Sequence, residues 1–318
     1  LDNSVKDLSQ QTVLDEVKEI IHLPEFFGQT GNDLDIVELD PEILDQLENY
    51  VAAVASMYRD NPFHSFEHAS HVVMSVVKLL SRIVAPDITE ETGKDMASTL
   101  HDHTYGITSD PLTQFAGVFS ALIHDADHTG VPNSQLIKEN SALARIYKDK
   151  SVAEQNSVDL CWDLLMDSSF DKLRAAIYST EDERKRFRQL VVNSVMATDI
   201  MDKDLKEFRN SRWERAFSVS QEQHSDEAAN RKATIVIEHL IQASDVAHTM
   251  QHWHIYRKWN QKLFQEMTHA FREGRAERDP AEFWYKGEID FFDFYIIPLA
   301  KKLKDCGVFG VSSDEYLN

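Results

Sequence analysis

The chain has 318 residues, of which 42% are hydrophobic and 27% charged, and its formal net charge is −21. This composition is typical of a globular protein with a large core, and no apolar run is long enough to predict a membrane span. So acidic a surface repels nucleic-acid backbones and anionic lipid, which argues against DNA, RNA or a membrane surface as the main partner.

The N-terminus and the cysteines bear on the cellular setting. Residues 1–4 contain no basic region followed by an apolar run, so no signal peptide is predicted. The chain also lacks an initiator Met, which suggests a piece of a longer protein. Cys161 and Cys306 are the only cysteines, and both are expected to be reduced thiols. We therefore predict a cytoplasmic location, either for a free protein or for the cytosolic part of a membrane-anchored one.

Helical periodicity begins at residue 41 and continues along the chain. In 41–59, apolar residues recur at steps of three and four, and Asp40-Pro41 supplies an N-cap and a first-turn proline. Segment 66–84 repeats the pattern, and Asp110-Pro111 opens a helix that ends near residue 124. Further helices are predicted at about 133–146, 151–167, 170–178, 181–199, 203–216, 226–248, 250–273 and 288–305.

Polar stretches separate these helices at 85–95, 218–230 and 274–287, and we interpret them as connections. The last begins at Gly274 and could form a mobile loop over a pocket. Only 10 glycines and 8 prolines occur, with no Asn-Gly or Asp-Gly hairpin signal. The prediction is an all-α, compact, multi-helix protein. Because no Pro/Gly/Ser-rich linker divides the chain, a single domain over 1–318 is preferred.

Two short segments, His64-Ser-Phe-Glu-His68 and His124-Asp125-Ala-Asp127-His128, concentrate imidazole and carboxylate groups. The two histidines of the first segment are four residues apart and share one face of a helix. The adjacent His124 and Asp125 can straddle two metal ions at a helix end. With Asp245 they could hold a pair of divalent metals, imidazole being suited to zinc and carboxylate with water to magnesium or manganese. Metals bound in this way make hydroxide at neutral pH, so hydrolysis is the predicted chemistry.

Eight other histidines are interpreted as surface or hydrogen-bonded core residues: His22, His101, His103, His224, His239, His252, His254 and His269. His101-Asp-His103 resembles a ligand pair, but it is predicted to lie in a polar connection.

Four motifs resemble, in order, segments of the class I cyclic nucleotide phosphodiesterases. Asn61-Pro-Phe-His64-Ser-Phe-Glu-His68-Ala resembles their Asn-Pro-Tyr-His-Asn-x-x-His-Ala segment. Leu122-Ile-His124-Asp125-Ala-Asp127-His128-Thr-Gly130 resembles their His-Asp-x-Asp-His-x-Gly signature. Ala243-Ser-Asp245 is similar to their Ala-Asp motif, and Tyr256-Arg-Lys-Trp259 to their Tyr-Arg-x-Trp. The similarity runs from about 40 to 305, which is the expected catalytic core.

The resemblance implies an all-α catalytic domain of about sixteen helices and assigns the metal ligands. His68, His124, Asp125 and Asp245 would bind the tighter metal, which is expected to be zinc. Asp125 would bridge to a second metal, magnesium or manganese, held mainly by water.

The resemblance also implies roles for residues around the metals. His128 would lie near the bridging solvent, Glu154 would order water around the second metal, and Thr198-Asp199 matches another pair of residues that surrounds the metal ligands. His64 is the candidate general acid that protonates the departing O3′ of a cyclic nucleotide. Neighbouring carboxylates should favour its protonated form. The product would be a nucleoside 5′-monophosphate.

The base pocket is where the chain departs from the family pattern. Phe291 and Leu263 match the residues that clamp the purine, and Tyr256 and His248 are expected beside them. Glu288 stands where the family has Gln, and an ionised carboxylate only accepts hydrogen bonds. Guanine presents two adjacent donors, whereas adenine presents one donor beside a lone pair. The sequence therefore predicts that cGMP is favoured over cAMP.

Two alternatives to a cyclic nucleotide phosphodiesterase stay open. One is a metal-dependent nucleotidase of the wider His-Asp (HD-type) superfamily, although no basic cluster beside the His motifs could hold a polyphosphate. The other is a catalytically inactive domain that binds cyclic nucleotide as a regulatory module, which should have lost a ligand or the acid. An upstream sensor or membrane domain and a homodimer are both compatible with the sequence, which identifies neither.

Overall fold

The structure is a computed structural model that describes residues 11–26, 38–83, 96–217 and 225–309. Its α-helices are α1 (Pro41–Met57), α2 (Phe66–Ser81), α3 (Met96–His103), α4 (Pro111–Ile123), α5 (Asn133–Lys138), α6 (Ala142–Ile146), α7 (Val152–Leu165), α8 (Asp171–Ile177), α9 (Glu181–Met196), α10 (Lys203–Phe217), α11 (Asp226–Asp245), α12 (Trp253–Arg272), α13 (Trp284–Phe291) and α14 (Ile297–Asp305). No strand occurs in these ranges, where one isolated bridge joins Ile83 and Phe309. The all-α prediction is confirmed, and the number of helices is close to the expected value.

Helix starts follow the capping signals in the sequence. The Asp40 side chain accepts a hydrogen bond from Glu42 N at 2.9 Å and Pro41 opens α1, as predicted. The Ser65 side chain accepts from His68 N at 3.4 Å, so α2 begins within the first His motif. Such caps satisfy N–H groups that the first turn leaves unpaired.

The central helix is α4, which packs against α2, α9 and α11. Its residues Phe119, Ala121 and Ile123 are buried. A helix that is apolar on nearly every side must be covered by neighbouring helices. The C-terminal end of α4 lies between two of these neighbours, α2 and α11. Among the described residues, no helix combines the length and apolar character that a bilayer span requires.

Several predicted boundaries were wrong. The helix predicted at 133–146 is two helices, α5 and α6, because the chain turns between them at Asn140, which has φ of +49°. The polar connection predicted around His101-Asp-His103 is instead the last turn of α3, whose polar sequence gives no helical apolar pattern. The connections 218–230 and 274–287 are too long, since α11 begins at Asp226 and α13 at Trp284. Residues 85–95 and 218–224 lie outside the described ranges.

The run from α13 to α14 contains a π-helical segment, Phe292–Ile296, where a single helix was predicted. A π turn holds one residue more than an α turn. Pro298 lies in the first turn of α14, and a proline ring crowds the carbonyl four residues before it, here that of Phe294 inside the π segment. The wider turn therefore accommodates the proline and sets the rotation of α13 relative to α14.

Candidate functional site

Three helices bring the four predicted metal ligands together. His68 lies in the first turn of α2, His124 and Asp125 directly follow α4, and Asp245 ends α11. His68 Nε2 lies 2.9 Å from Asp245 Oδ1, and His124 Nε2 lies 3.1 Å from Asp125 Oδ2. Both imidazoles are fully buried. Residues separated by as many as 177 positions in the chain thus share one small site.

The chemistry of this donor set fits a metal ion. His124 Nδ1 donates to the carbonyl of Ala121 at 2.9 Å, which leaves the lone pair on Nε2. That Nε2 atom is buried without a hydrogen-bond partner and faces Asp125 and Asp245, at 3.1 and 3.5 Å. Two imidazole nitrogens beside two carboxylates match the ligand types that zinc prefers.

A second group of acidic side chains lies beside the first. Asn133 Nδ2 donates to Glu154 Oε2 at 2.8 Å and to Asp199 Oδ2 at 3.4 Å. Burial, with the charge of Asp199, raises the pKa of Glu154 to about 8. The other Asp199 oxygen accepts the N–H groups of Met201 and Asp202, each at 3.0 Å. Two neighbouring carboxyl groups, Asp199 buried and Glu154 half-buried, suit a hydrated divalent cation.

His64 lies between His128 and Glu266, a residue that the sequence analysis did not identify. Glu266 Oε2 accepts the N–H groups of Phe63 and His64 at 2.8 and 2.9 Å, and its Oε1 lies 2.5 Å from His64 Nδ1. The rings of His64 and His128 stack with their centroids 3.8 Å apart.

The electrostatics give the two stacked histidines opposite protonation states. Burial alone would lower the pKa of His64, but the charges of Glu266 and Asp125 outweigh it and raise that pKa to about 9. Burial and the charge of His64 lower the pKa of His128 to about 3. At neutral pH His64 therefore carries a proton that it can donate.

Glu266 was missed because it stands 202 residues after His64 and belongs to no motif. A signal was nevertheless present in α12. Trp259, Glu266 and Ala270 are its buried residues, so an acidic side chain occupies the inward face of an otherwise amphipathic helix. A buried carboxylate must be paired with a hydrogen-bond donor or a positive charge. An acidic residue on the inward face of a helix therefore predicts that such a partner lies opposite it.

A cavity of about 720 Å³ lies between α12, α13 and the π segment. Tyr256, Asn260, Trp284 and Glu288 belong to its lining. Glu288 Oε2 accepts hydrogen bonds from the Tyr256 hydroxyl and from Asn260 Nδ2, the latter at 2.6 Å. Trp284 Nε1 in turn donates to Asn260 Oδ1 at 3.2 Å. These hydrogen bonds therefore keep the Glu288 carboxylate, a hydrogen-bond acceptor, in the lining of the cavity.

The other residues predicted around the base lie outside the lining of this cavity. Phe291 stacks on Tyr295, with ring centroids 5.4 Å apart. Leu263 is half-buried on α12. His248 is buried, with its ring 6.3 Å from that of His68, and burial together with the charge of His68 lowers its pKa to about 4.

The fold is all-α, and its candidate site brings together His and Asp side chains that could hold a metal ion, as in His-Asp type hydrolases. A family model described as 3′5′-cyclic nucleotide phosphodiesterase matches residues 63–308. The chain belongs to this family, and the resemblance found in the sequence motifs is confirmed.

Known proteins resemble the chain at moderate identity. It is 26% identical over 276 residues to a probable 3′,5′-cyclic-AMP phosphodiesterase, pde-4, of Caenorhabditis elegans, covering 81% of this chain and 36% of that protein. It is 25% identical over 218 residues to the cGMP-specific 3′,5′-cGMP phosphodiesterase 3 of Dictyostelium discoideum, covering 69% and 40%. The chain spans about a third of the length of several curated relatives.

A solved structure supports the fold. The phosphodiesterase domain of Salpingoeca rosetta rhodopsin phosphodiesterase matches with a TM-score of 0.64 and 24% identity, covering 82% of this chain and 74% of that one.

Proposed function

We propose that this chain hydrolyses 3′,5′-cyclic nucleotides to nucleoside 5′-monophosphates, with cGMP favoured over cAMP. The observation that carries the proposal is the convergence of two histidines and two aspartates beside a protonated His64 in a member of the phosphodiesterase family. We propose further that residues 1–318 form one catalytic domain, on the cytoplasmic side, of a longer protein. The rhodopsin phosphodiesterase of Salpingoeca rosetta offers a precedent for such an upstream partner domain.

In this proposal His68, His124, Asp125 and Asp245 would hold zinc, and Asp125 would also contribute to a site for magnesium or manganese. When bound, the two ions would activate water and neutralise charge on the phosphate. Glu154 and Asp199 order solvent around the second ion.

The proton for the leaving group comes from His64. Its Nδ1 atom faces Glu266 Oε1, so Nε2 is the nitrogen that can donate to the departing O3′. His128, neutral at physiological pH because its pKa is about 3, stacks on His64 without competing for the negative charge of Glu266. The chain thus presents one charged and one neutral imidazole to the substrate.

Base selection is proposed to rest on Glu288. Its Oε2 accepts hydrogen bonds from Tyr256 and Asn260, which hold the side chain in the cavity lining and leave Oε1 as the oxygen that can accept from the base. Guanine can satisfy it through N1–H and N2–H₂, whereas adenine would set a lone pair against it. An unmatched polar contact of this kind costs about 1–3 kcal/mol in a dry site.

Replacing Glu288 with Gln is expected to shift the ratio of kcat/KM for cGMP to that for cAMP toward cAMP, because an amide can donate as well as accept. A shift of roughly tenfold to a hundredfold corresponds to that energy. The matched control is Asp293→Asn, which removes another carboxylate from the lining of the same cavity and should leave the ratio unchanged. A clear cAMP preference of the unmodified protein would contradict the cGMP proposal.

The alternatives are less consistent with the site. The residues that line the cavity near Glu288 include no Lys or Arg, so nothing there would bind the polyphosphate of a nucleotidase substrate. An inactive regulatory domain has no need of four metal ligands and an acid, yet all five side chains are present: His68, His124 and Asp125 form one group that Asp245 contacts, and His64 lies in a second group with His128 and Glu266.

Removing metal is expected to abolish turnover and to lower the temperature of unfolding, because a ligand bound only by the folded state stabilises it. The purified protein is incubated with cGMP and cAMP, with and without a chelator, and 5′-monophosphate is measured. Zinc with magnesium should restore both properties. Hydrolysis that persists unchanged in the chelator would refute a metal-dependent mechanism.

A further inference from the structure

A second cavity, of about 250 Å³, lies between α10, α11 and the start of α14. Lys206, Arg209 and Lys302 all line it, and no Asp or Glu does. Arg209 donates to the main-chain oxygen of Asp199 at 3.1 Å, and Lys302 donates to Asn210 Oδ1 at 3.0 Å. Both of these hydrogen bonds go to neutral oxygens, and Lys302 also lies over the ring of Trp213 at 5.1 Å, so neither cation forms an ion pair through these contacts.

The three cations act on one another. Burial, with repulsion from Arg209 and Lys206, lowers the pKa of Lys302, and the attraction of Glu214 only partly offsets this. The chain as a whole carries a net charge of −21. That overall charge opposes anion binding, but three cations lining one concave site with no acidic residue among the lining make the local potential positive, which attracts anions.

The floor of the cavity is polar and buried. His239 and Gln242 are each 5% exposed. His239 Nδ1 donates to the carbonyl of Ile235 at 2.8 Å, which leaves Nε2 as its second polar atom. Gln242 Nε2 donates to the carbonyl of Ala197 at 2.8 Å. These bonds fix the orientation of both side chains, so the floor is preformed.

We propose that this cavity is a second binding site, separate from the metal centre, for a phosphate-class oxyanion. Lys206, Arg209 and Lys302 supply the charge-assisted donors that phosphate oxygens accept. The volume lies below the roughly 300–1,000 Å³ of typical sites for drug-sized ligands, so inorganic phosphate fits better than a whole nucleotide. Because Arg209 also holds the backbone of Asp199, a bound anion contacts a side chain that reaches the acidic group beside the metal site.

The test is a titration of the metal-loaded protein with inorganic phosphate near neutral pH, read from the imidazole NMR signals. The His239 signal, assigned with His239→Asn, reports this cavity, whereas the signals of His64 and His128 report the metal centre. A saturable shift of the His239 signal is expected.

Lys206→Gln and Lys302→Gln should each weaken the phosphate affinity reported by His239 by about tenfold, the loss of one charge-assisted hydrogen bond. Lys301→Gln, a neighbouring exposed lysine of α14 outside the cavity lining, is the matched control and should bind normally. Thermal unfolding of each variant verifies that it is folded. An absent or unsaturable His239 shift, or equal affinity in all three variants, overturns the proposal. Because hydrolysis is not measured, this result is independent of the proposed function.

Discussion

Replacing Asp125 with Asn is expected to abolish cyclic nucleotide hydrolysis and to release metal from the protein. Asp125 Oδ2 lies 3.1 Å from His124 Nε2 and 3.8 Å from His68 Nε2, and it is the proposed bridge between the two ions. Asn removes the negative charge and one of the two oxygens. We expect kcat to fall by on the order of a thousandfold or more. Metal content by mass spectrometry and kcat under saturating cGMP measure the two effects.

Asp127→Asn is the matched control, since it makes the same chemical change two residues further along the same motif. Asp127 accepts hydrogen bonds from Arg59 at 2.8 Å and Asn156 at 3.0 Å, away from the metal ligands. Its φ is +62°, a conformation that Asn tolerates. This variant should retain metal and turnover. Equal losses in the two variants would show that the assignment of Asp125 as the bridging ligand is wrong.

Glu266→Gln is expected to move the alkaline limb of the pH–rate profile to lower pH. The charge of Glu266 favours protonated His64 and holds its pKa at about 9. Activity that depends on the protonated form is complete below that pKa and is lost as the pH rises through it. Without the charge the limb should move down by about one to two pH units. Bound cations also lower this pKa, so the two profiles are compared with the same metals.

Gln keeps an oxygen that can accept from the N–H groups of Phe63 and His64, so the local fold should survive. Glu273→Gln, at an exposed carboxylate that contacts His269 at 3.0 Å, is the control and should leave the profile unchanged. His64→Asn should lower kcat by about 10²–10⁴-fold and eliminate the limb. An alkaline limb that stays in place in Glu266→Gln would mean that Glu266 does not tune the acid.

Long amphipathic helices could be predicted because the residues that form their apolar faces and N-caps lie close together in the sequence, as at Asp40-Pro41 in α1. The wrongly predicted helix boundaries also have local causes. The polar α3 buries too little apolar surface to produce a periodic signal. The break at Asn140 depends on a left-handed residue, a conformation for which Asn is only enriched.

Within the candidate site, the residues predicted from contiguous motifs lie in two groups, His68 with His124 and Asp125, and His64 with His128. Their partners from distant helices were not found. Glu266 on His64 and Asn260 on Glu288 act through contacts that exist only after the helices pack. Periodicity reports which face of a helix is buried, but it does not report which side chain lies opposite.

With the role proposed for Glu288, the π segment at Phe292–Ile296 would make helical register a determinant of substrate choice. One α-helical residue corresponds to a rotation of about 100°. Deleting one residue from this segment would therefore turn the face of α13 that carries Glu288 by that angle relative to α14, without replacing any side chain of the cavity. Divergence of base preference within such a helix can thus proceed by insertion and deletion as readily as by substitution. An alignment of this segment with that of another protein is therefore meaningful only when it allows for the one extra residue of the π turn.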